Sequence, residues 1–246
     1  MALVQTFEKQ GNFLFKYRGQ FPVILFLLAI PFIGITDYAS ISEVNERYYT
    51  IISVFLSFVG FLIRFYTIGT TPHGTSGRNT KQQVAEVLNS TGIYATLRHP
   101  LYLGNYLIWI GIATYVFNPL FILIISLIFW LYYERIMFAE ERFLEKKFGD
   151  KYLDWSNKIP AFIPNFSNYK TSSIPFSIKT VLRREYSGVL ATIISFCFVE
   201  MLRNYLIGEE LISHNLIYVL IATLTVCLLL RTLKRNTQIL HEKYRD

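Results

Sequence analysis

The stretch TGIYATLRHPLYLGNYLIWIGIATYVF, residues 91–117, sets an arginine and a histidine directly before a proline and then runs apolar for most of its length. An apolar run of this kind reads as a membrane-spanning helix. Charge at its mouth is costly unless it sits in an interface, a water-filled cavity or a site that needs it. Arg98 and His99 therefore pose two questions together: what the run spans, and what holds the charge.

The rest of the chain answers the first. Its 246 residues are 52% hydrophobic and 17% aromatic, too apolar and too segmented for an ordinary soluble domain. Six runs are expected to be spanning helices: Phe21 to Thr36, Tyr49 to Gly69, Leu101 to Phe117, Pro119 to Tyr133, Gly188 to Ile207 and Leu216 to Leu230. The shorter ones barely cross a hydrocarbon core of roughly 30 Å, so they recruit flanking aromatic residues. Lys and Arg accumulate on the cytoplasmic side of short connections. Lys9, Lys16 and Arg18 precede the first run, whereas Asp37, Glu43 and Glu46 outweigh Arg47 after it. Arg78, Lys81 and Arg98 mark the second connection, Asn118-Pro119 is an uncharged turn, and Glu209-Glu210 joins the last two runs. The long segment from Glu134 to Glu185 and the tail from Arg231 to Arg245 are basic. The expectation is an all-α, polytopic helical membrane protein of about six transmembrane helices with both termini cytoplasmic.

The net charge of +7 then belongs to inside loops facing anionic membrane lipids rather than to a nucleic-acid surface. The polar leader before the first run is long for a signal peptide, which favours a retained anchor. Cys197 and Cys227 fall inside the last two runs with neither metal-ligand spacing nor a disulfide framework, and His73 and His214 show no such spacing either. No metal and no obligate protein partner are expected. Four parts follow along the chain: an amino-terminal arm and spans over 1–58, a core over 59–167, a linker over 168–187 and a two-span appendix over 188–246. Within the core, the start of the 70–98 connection reads as loop from Pro72, Gly74 and Gly77, and KQQVAEVL as a short amphipathic helix. The fourth run continues as one helix until Gly149, with Met137, Glu140, Glu141, Leu144 and Phe148 on one stripe. The segment KIPAFIPNFSNYKTSSIPFS, with three prolines, is expected to be extended.

The second question turns on neighbours. An Arg-His pair at a span's end ordinarily anchors to headgroups. Here Pro100 pre-sets the first helical turn, so the pair is held at a helix amino terminus that favours an anion. Tyr102 adds a hydrogen-bonding ring, Gly104 a place for close approach, and Tyr94 lies just before. Adjacent carboxylates are often only a solvated face. Glu140 and Glu141, however, extend the span that follows a tight turn at Asn118-Pro119, and an antiparallel hairpin with arms of similar length returns them to the level of Arg98 and His99. Glu200 and Arg203 are spaced to pair along one helix face, and Arg64 and Arg203 are near enough to span ends to snorkel.

TGIYATLRHPLYLG, then AEERFLEKKFGDKYLDW and IPAFIP, resembles the isoprenylcysteine carboxyl methyltransferase and phospholipid methyltransferase group of integral membrane enzymes. The resemblance implies methyl transfer from S-adenosylmethionine to a lipophilic acceptor drawn from the bilayer, at a site facing the cytoplasm. It implies a cofactor pocket of Tyr94, Arg98, His99, Pro100, Tyr102, Gly104, Glu140, Glu141 and Tyr152, with Arg98 and Glu141 as the catalytic positions. In that reading Arg98 or His99 meets the cofactor's carboxylate, Glu140 or Glu141 its amino group and ribose hydroxyls, and aromatic faces its sulfonium. Trp155 stands where the family has a tyrosine, and IPAFIP lacks the family's arginine before F-I-P. The acceptor stays open between a prenylcysteine carboxylate, an aminophospholipid and a similar lipid. A nicotinamide-dependent membrane reductase of sterol type would call for extra arginines, and a non-catalytic transporter or scaffold would have no use for intact Arg-His-Pro and Glu-Glu motifs.

Overall fold

The structure, a computed structural model, describes residues 2–72 and 83–242. His73, Gly74, Gly77, Arg78, Lys81 and Arg245 lie outside these residues. Among the described residues every long element is helical: α1 (Leu3–Tyr17), α2 (Phe21–Ile35), α3 (Glu43–Gly69), α4 (Pro100–Thr114), α5 (Pro119–Phe148), α6 (Asp150–Ser156), α7 (Ile178–Ile207) and α8 (His214–Asn236). Four of them, α3, α5, α7 and α8, are long and apolar enough to cross a membrane, and α2 holds a shorter apolar stretch. A helix rises 1.5 Å per residue, so the 15 residues of α2 and of α4 cover roughly 22 Å each.

Helix ends follow local chemistry. Ser42 caps α3 by accepting from the Asn45 N–H, Asn118 caps α5 by accepting from Phe121, and Ser177 caps α7 by accepting from Thr180. Gly149 ends α5 at φ 54° and ψ −132°, a conformation open to glycine, and its N–H closes on the Glu145 carbonyl. The expected stop at Gly149 is thus met. Other expectations shift. The amino-terminal arm is itself a helix: α1 packs along α5, where Tyr132 donates to the Leu14 carbonyl, Lys146 bonds Glu8, and Arg135 lies over the Phe7 ring. Residues 83–88 of the expected KQQVAEVL helix form no helix, and Ala85 and Leu88 are buried as loop. The 158–177 segment, expected to be extended, is irregular instead: bends at 159, 161–163 and 173–174 interrupt it, with a 3-10 turn at Phe166–Asn168. Helix α7 begins at Ile178 and so takes the last ten positions of the expected 168–187 linker.

Helices α3 and α4 approach backbone to backbone. A Cβ on Gly104 would stand 2.8 Å from the Gly60 carbonyl oxygen and 2.6 Å from Cγ of Arg64, so the contact depends on small residues as packed membrane helices do. Helix α7 lies against α2, α3 and α4 and is no appendix to them. Glu200 on α7 accepts from the Tyr115 hydroxyl and, at 2.6 Å, from the Ser213 N–H. Arg203 is buried over the rings of Tyr115 and Phe117, with Glu46 at 3.8 Å. Each of the two has thus found partners on other elements in place of the expected pairing along α7, and Arg203 does not snorkel.

Candidate functional site

The loop before α4 is held by the irregular segment that follows α6. Arg98 donates its backbone N–H to the Pro160 carbonyl (2.9 Å) and His99 to that of Ala161 (3.1 Å), while Asn165 donates to Thr96 and Gly92 to Lys170. IPAFIP therefore fixes the backbone of the Arg-His pair. Pro100 at the first turn of α4 then sets the direction in which the two side chains leave. The turn between α4 and α5, with Phe117 at φ 62°, brings α5 back antiparallel.

The carboxylates arrive where the hairpin geometry puts them. His99, 5% exposed, places Nε2 2.8 Å from Glu141 and Nδ1 3.7 Å from Glu140. Its ring stacks on Tyr102, whose hydroxyl donates to Glu140 at 2.8 Å. Nε of Arg98 lies 3.3 Å from Glu141 without meeting hydrogen-bond geometry. Burial, and then Glu140, push the Tyr94 phenol far up; burial and Glu141 do the same to Tyr152. Both hydroxyls stay protonated, hence available as donors, throughout the neutral range.

This cluster forms one end of a cavity of about 530 Å³, within the range typical of small-molecule sites. Tyr94, Arg98, His99, Pro100, Tyr102, Glu140, Glu141 and Tyr152 all line it. Gly104 does not: it faces Gly60 and Arg64 in the α3–α4 contact, so its lack of a side chain serves helix packing. Residues unforeseen at this cavity are Trp155, Asn105, Tyr133 and, from α7, Glu185, Gly188 and Ala191. Arg64 joins the wall from α3. Glu185 grips Arg64 through both carboxylate oxygens at 2.7 Å, Arg64 continues to Asn105, and Asn105 donates to Tyr133 at 3.0 Å. The signal for this network was Arg64 itself, since an arginine in an apolar run calls for a partner. Toward the apolar end, Trp109, Ile112 and Ser195 also line a further space of about 60 Å³ among Leu25, Phe26, Ala29, Val116, Phe121, Ile125 and Val199. Polar and apolar compartments thus meet within the bundle.

Residues 48–151 match the family model for phospholipid methyltransferases. That stretch contains Arg98, His99, Glu140 and Glu141 and stops just before Tyr152. Among curated relatives, the chain is 31% identical over 116 residues to the protein-S-isoprenylcysteine O-methyltransferase of Saccharomyces cerevisiae, covering 47% of this chain and 48% of that one. It is 33% identical over 85 residues to the enzyme of the same name from Schizosaccharomyces pombe, covering 35% and 36%. It is 30% identical over 98 residues to the nickel-cobalt-cadmium resistance protein NccN of Alcaligenes xylosoxydans xylosoxydans, covering 40% and 43%. The chain thus spans less than half the length of each of these relatives. No solved structure matches it. The resemblance carried by TGIYATLRHPLYLG and AEERFLEKKFGDKYLDW is therefore a similarity to the phospholipid and isoprenylcysteine methyltransferases.

Proposed function

We propose, from the match of residues 48–151 to the phospholipid methyltransferases, that this chain is an S-adenosylmethionine-dependent methyltransferase acting on a lipophilic acceptor. The site would face the cytoplasm in a six-span protein whose termini are both cytoplasmic. The observation that carries the reading is the single cavity that joins the Arg98–His99–Glu140–Glu141 cluster to apolar walls between the helices. A polar cofactor and a bilayer-borne acceptor need such a meeting of compartments, which is why a methyl transfer of this kind occupies a membrane protein.

The residues present fit the cofactor. Its carboxylate, ammonium group and ribose hydroxyls call for donors and acceptors side by side, and the polar end supplies an arginine, three phenols and two carboxylates. Bound there, S-adenosylmethionine supplies a methyl group on a positively charged sulfonium. His99 has both ring nitrogens turned to carboxylates, so its part is to hold Glu140 and Glu141 in place. Those carboxylates take the ammonium group and ribose. Tyr94 and Tyr102 present aromatic faces suited to a cation. Arg98 and Glu141, 3.3 Å apart, orient the bound partner, and buried walls exclude water. Orientation of this kind supplies much of the acceleration in an in-line displacement.

Calorimetry on the purified protein in detergent tests the reading. Binding of S-adenosylmethionine or S-adenosylhomocysteine is expected; binding of neither overturns it. Incubating membranes with cofactor labelled in its methyl group then types the acceptor: label in base-labile esters points to a prenylcysteine-type carboxylate, and label in base-stable lipid to an aminophospholipid.

A further inference from the structure

The wall network that begins at Glu185 has a direction. Both oxygens of the Glu185 carboxylate accept from Arg64. A guanidinium only donates, so the Asn105 atom that faces Arg64 is its carbonyl Oδ1, and the amide nitrogen is left to point the other way. Its Nδ2 donates to the Tyr133 hydroxyl at 3.0 Å. A phenol holds its one proton at neutral pH, so a hydroxyl that already accepts from Asn105 still has its own O–H to give onward. Among the described residues none accepts it. Tyr133 is 3% exposed and lines the cavity. A buried donor without an acceptor is costly, so this O–H marks a place for an acceptor atom supplied by a ligand. The Tyr133 ring is fixed by Phe129 at 4.1 Å, Tyr102 at 4.9 Å and Trp109 at 5.9 Å. Tyr102 belongs to the carboxylate cluster and Trp109 to the apolar compartment. The unused proton therefore sits at the boundary where the two compartments meet.

We propose that Tyr133 is an acceptor-binding residue, which donates its hydroxyl to a carboxylate oxygen of the methyl acceptor, and that Glu185 is a positioning residue that aims it through Arg64 and Asn105. The proposal rests on the methyltransferase reading and goes beyond it, because Glu185 stands on α7, past the matched residues 48–151. The donor also discriminates. An amine has one lone pair, which a hydrogen bond from Tyr133 would occupy, whereas a carboxylate has a second oxygen. That oxygen forms the new C–O bond as the bond from sulfur to the methyl carbon breaks and leaves its electron pair on sulfur; no proton moves. The test is steady-state methylation by the full chain in detergent, with S-adenosylmethionine and N-acetyl-S-farnesylcysteine as the probe, beside calorimetry with S-adenosylhomocysteine. Y133F should raise the KM for the probe about tenfold, as one hydrogen bond to a charged group predicts, with a smaller change in kcat and none in the affinity for S-adenosylhomocysteine. N105D tests the relay, since a carboxylate there accepts from both Arg64 and Tyr133 and so turns the proton away from the cavity. It should raise KM as Y133F does, and the double variant should be no worse than either single one. An unchanged KM in Y133F, additive effects in the double variant, or a weakened affinity for S-adenosylhomocysteine overturns the proposal and leaves the methyltransferase reading standing. So does a wild type that binds S-adenosylhomocysteine but leaves the probe unmethylated or methylates phosphatidylethanolamine in its place. A wild type that binds neither S-adenosylmethionine nor S-adenosylhomocysteine overturns both.

Discussion

His99 shows how one side chain organises its surroundings: its two nitrogens face two carboxylates that would otherwise repel each other. H99A should therefore weaken S-adenosylhomocysteine binding about tenfold or more, measured by calorimetry, and E141Q should do the same by removing the charge that faces Arg98 and His99. Unchanged affinity in both variants would refute the proposed pocket. The Arg64–Glu185 pair makes a different claim. Removing one partner of a buried ion pair costs about 3–5 kcal/mol, whereas replacing both with apolar groups is far milder. Thermal unfolding in detergent should accordingly show E185Q strongly destabilised and R64M/E185M recovering most of the loss. Sequence reading reached Arg98, His99, Glu140 and Glu141 because a proline, a tight turn and helical spacing constrain them locally. Glu185 was out of reach, since its partner stands 121 positions away and nothing near it in the chain hints at the contact.

Helices were legible wherever an apolar run met a capping signal, as at Asn118-Pro119 and Gly149. G149A isolates the backbone contribution, because nothing lies within 4 Å of the added Cβ; the strained φ alone should cost about 1–3 kcal/mol of unfolding stability. G104A asks about packing instead. Its Cβ would press on the Gly60 carbonyl and force α3 from α4, an overpacking cost of about 1–3 kcal/mol visible as a lower melting temperature in detergent. Residues 83–88 were misread for a physical reason. Apolar side chains at helical spacing needed burial, and Ala85 and Leu88 find it as loop over the cavity. Helix α1 was missed as an element because its stability comes from α5, a tertiary contact that composition does not reveal.

At the scale of the whole molecule, the proposed topology places Asn118 and Lys170 on opposite sides of the bilayer. Single cysteines introduced there, in a background with Cys197 and Cys227 replaced, should react with a membrane-impermeant maleimide from opposite faces of sealed vesicles; labelling from one face refutes the six-span arrangement. The all-helical architecture followed from hydropathy, and the part of the site built by the α4–α5 hairpin followed from counting residues along its arms. The closing of the cavity by α7 did not follow, because it depends on where a proline-rich segment leads the chain. That segment has a further consequence for biosynthesis. Arg98 and His99 leave the ribosome well before the carbonyls of Pro160 and Ala161 that hold them, and translation proceeds at only about 5–20 residues per second. For some seconds a nascent chain carries both halves of the hairpin without the clasp, so ligand affinity should switch on only in chains long enough to include it.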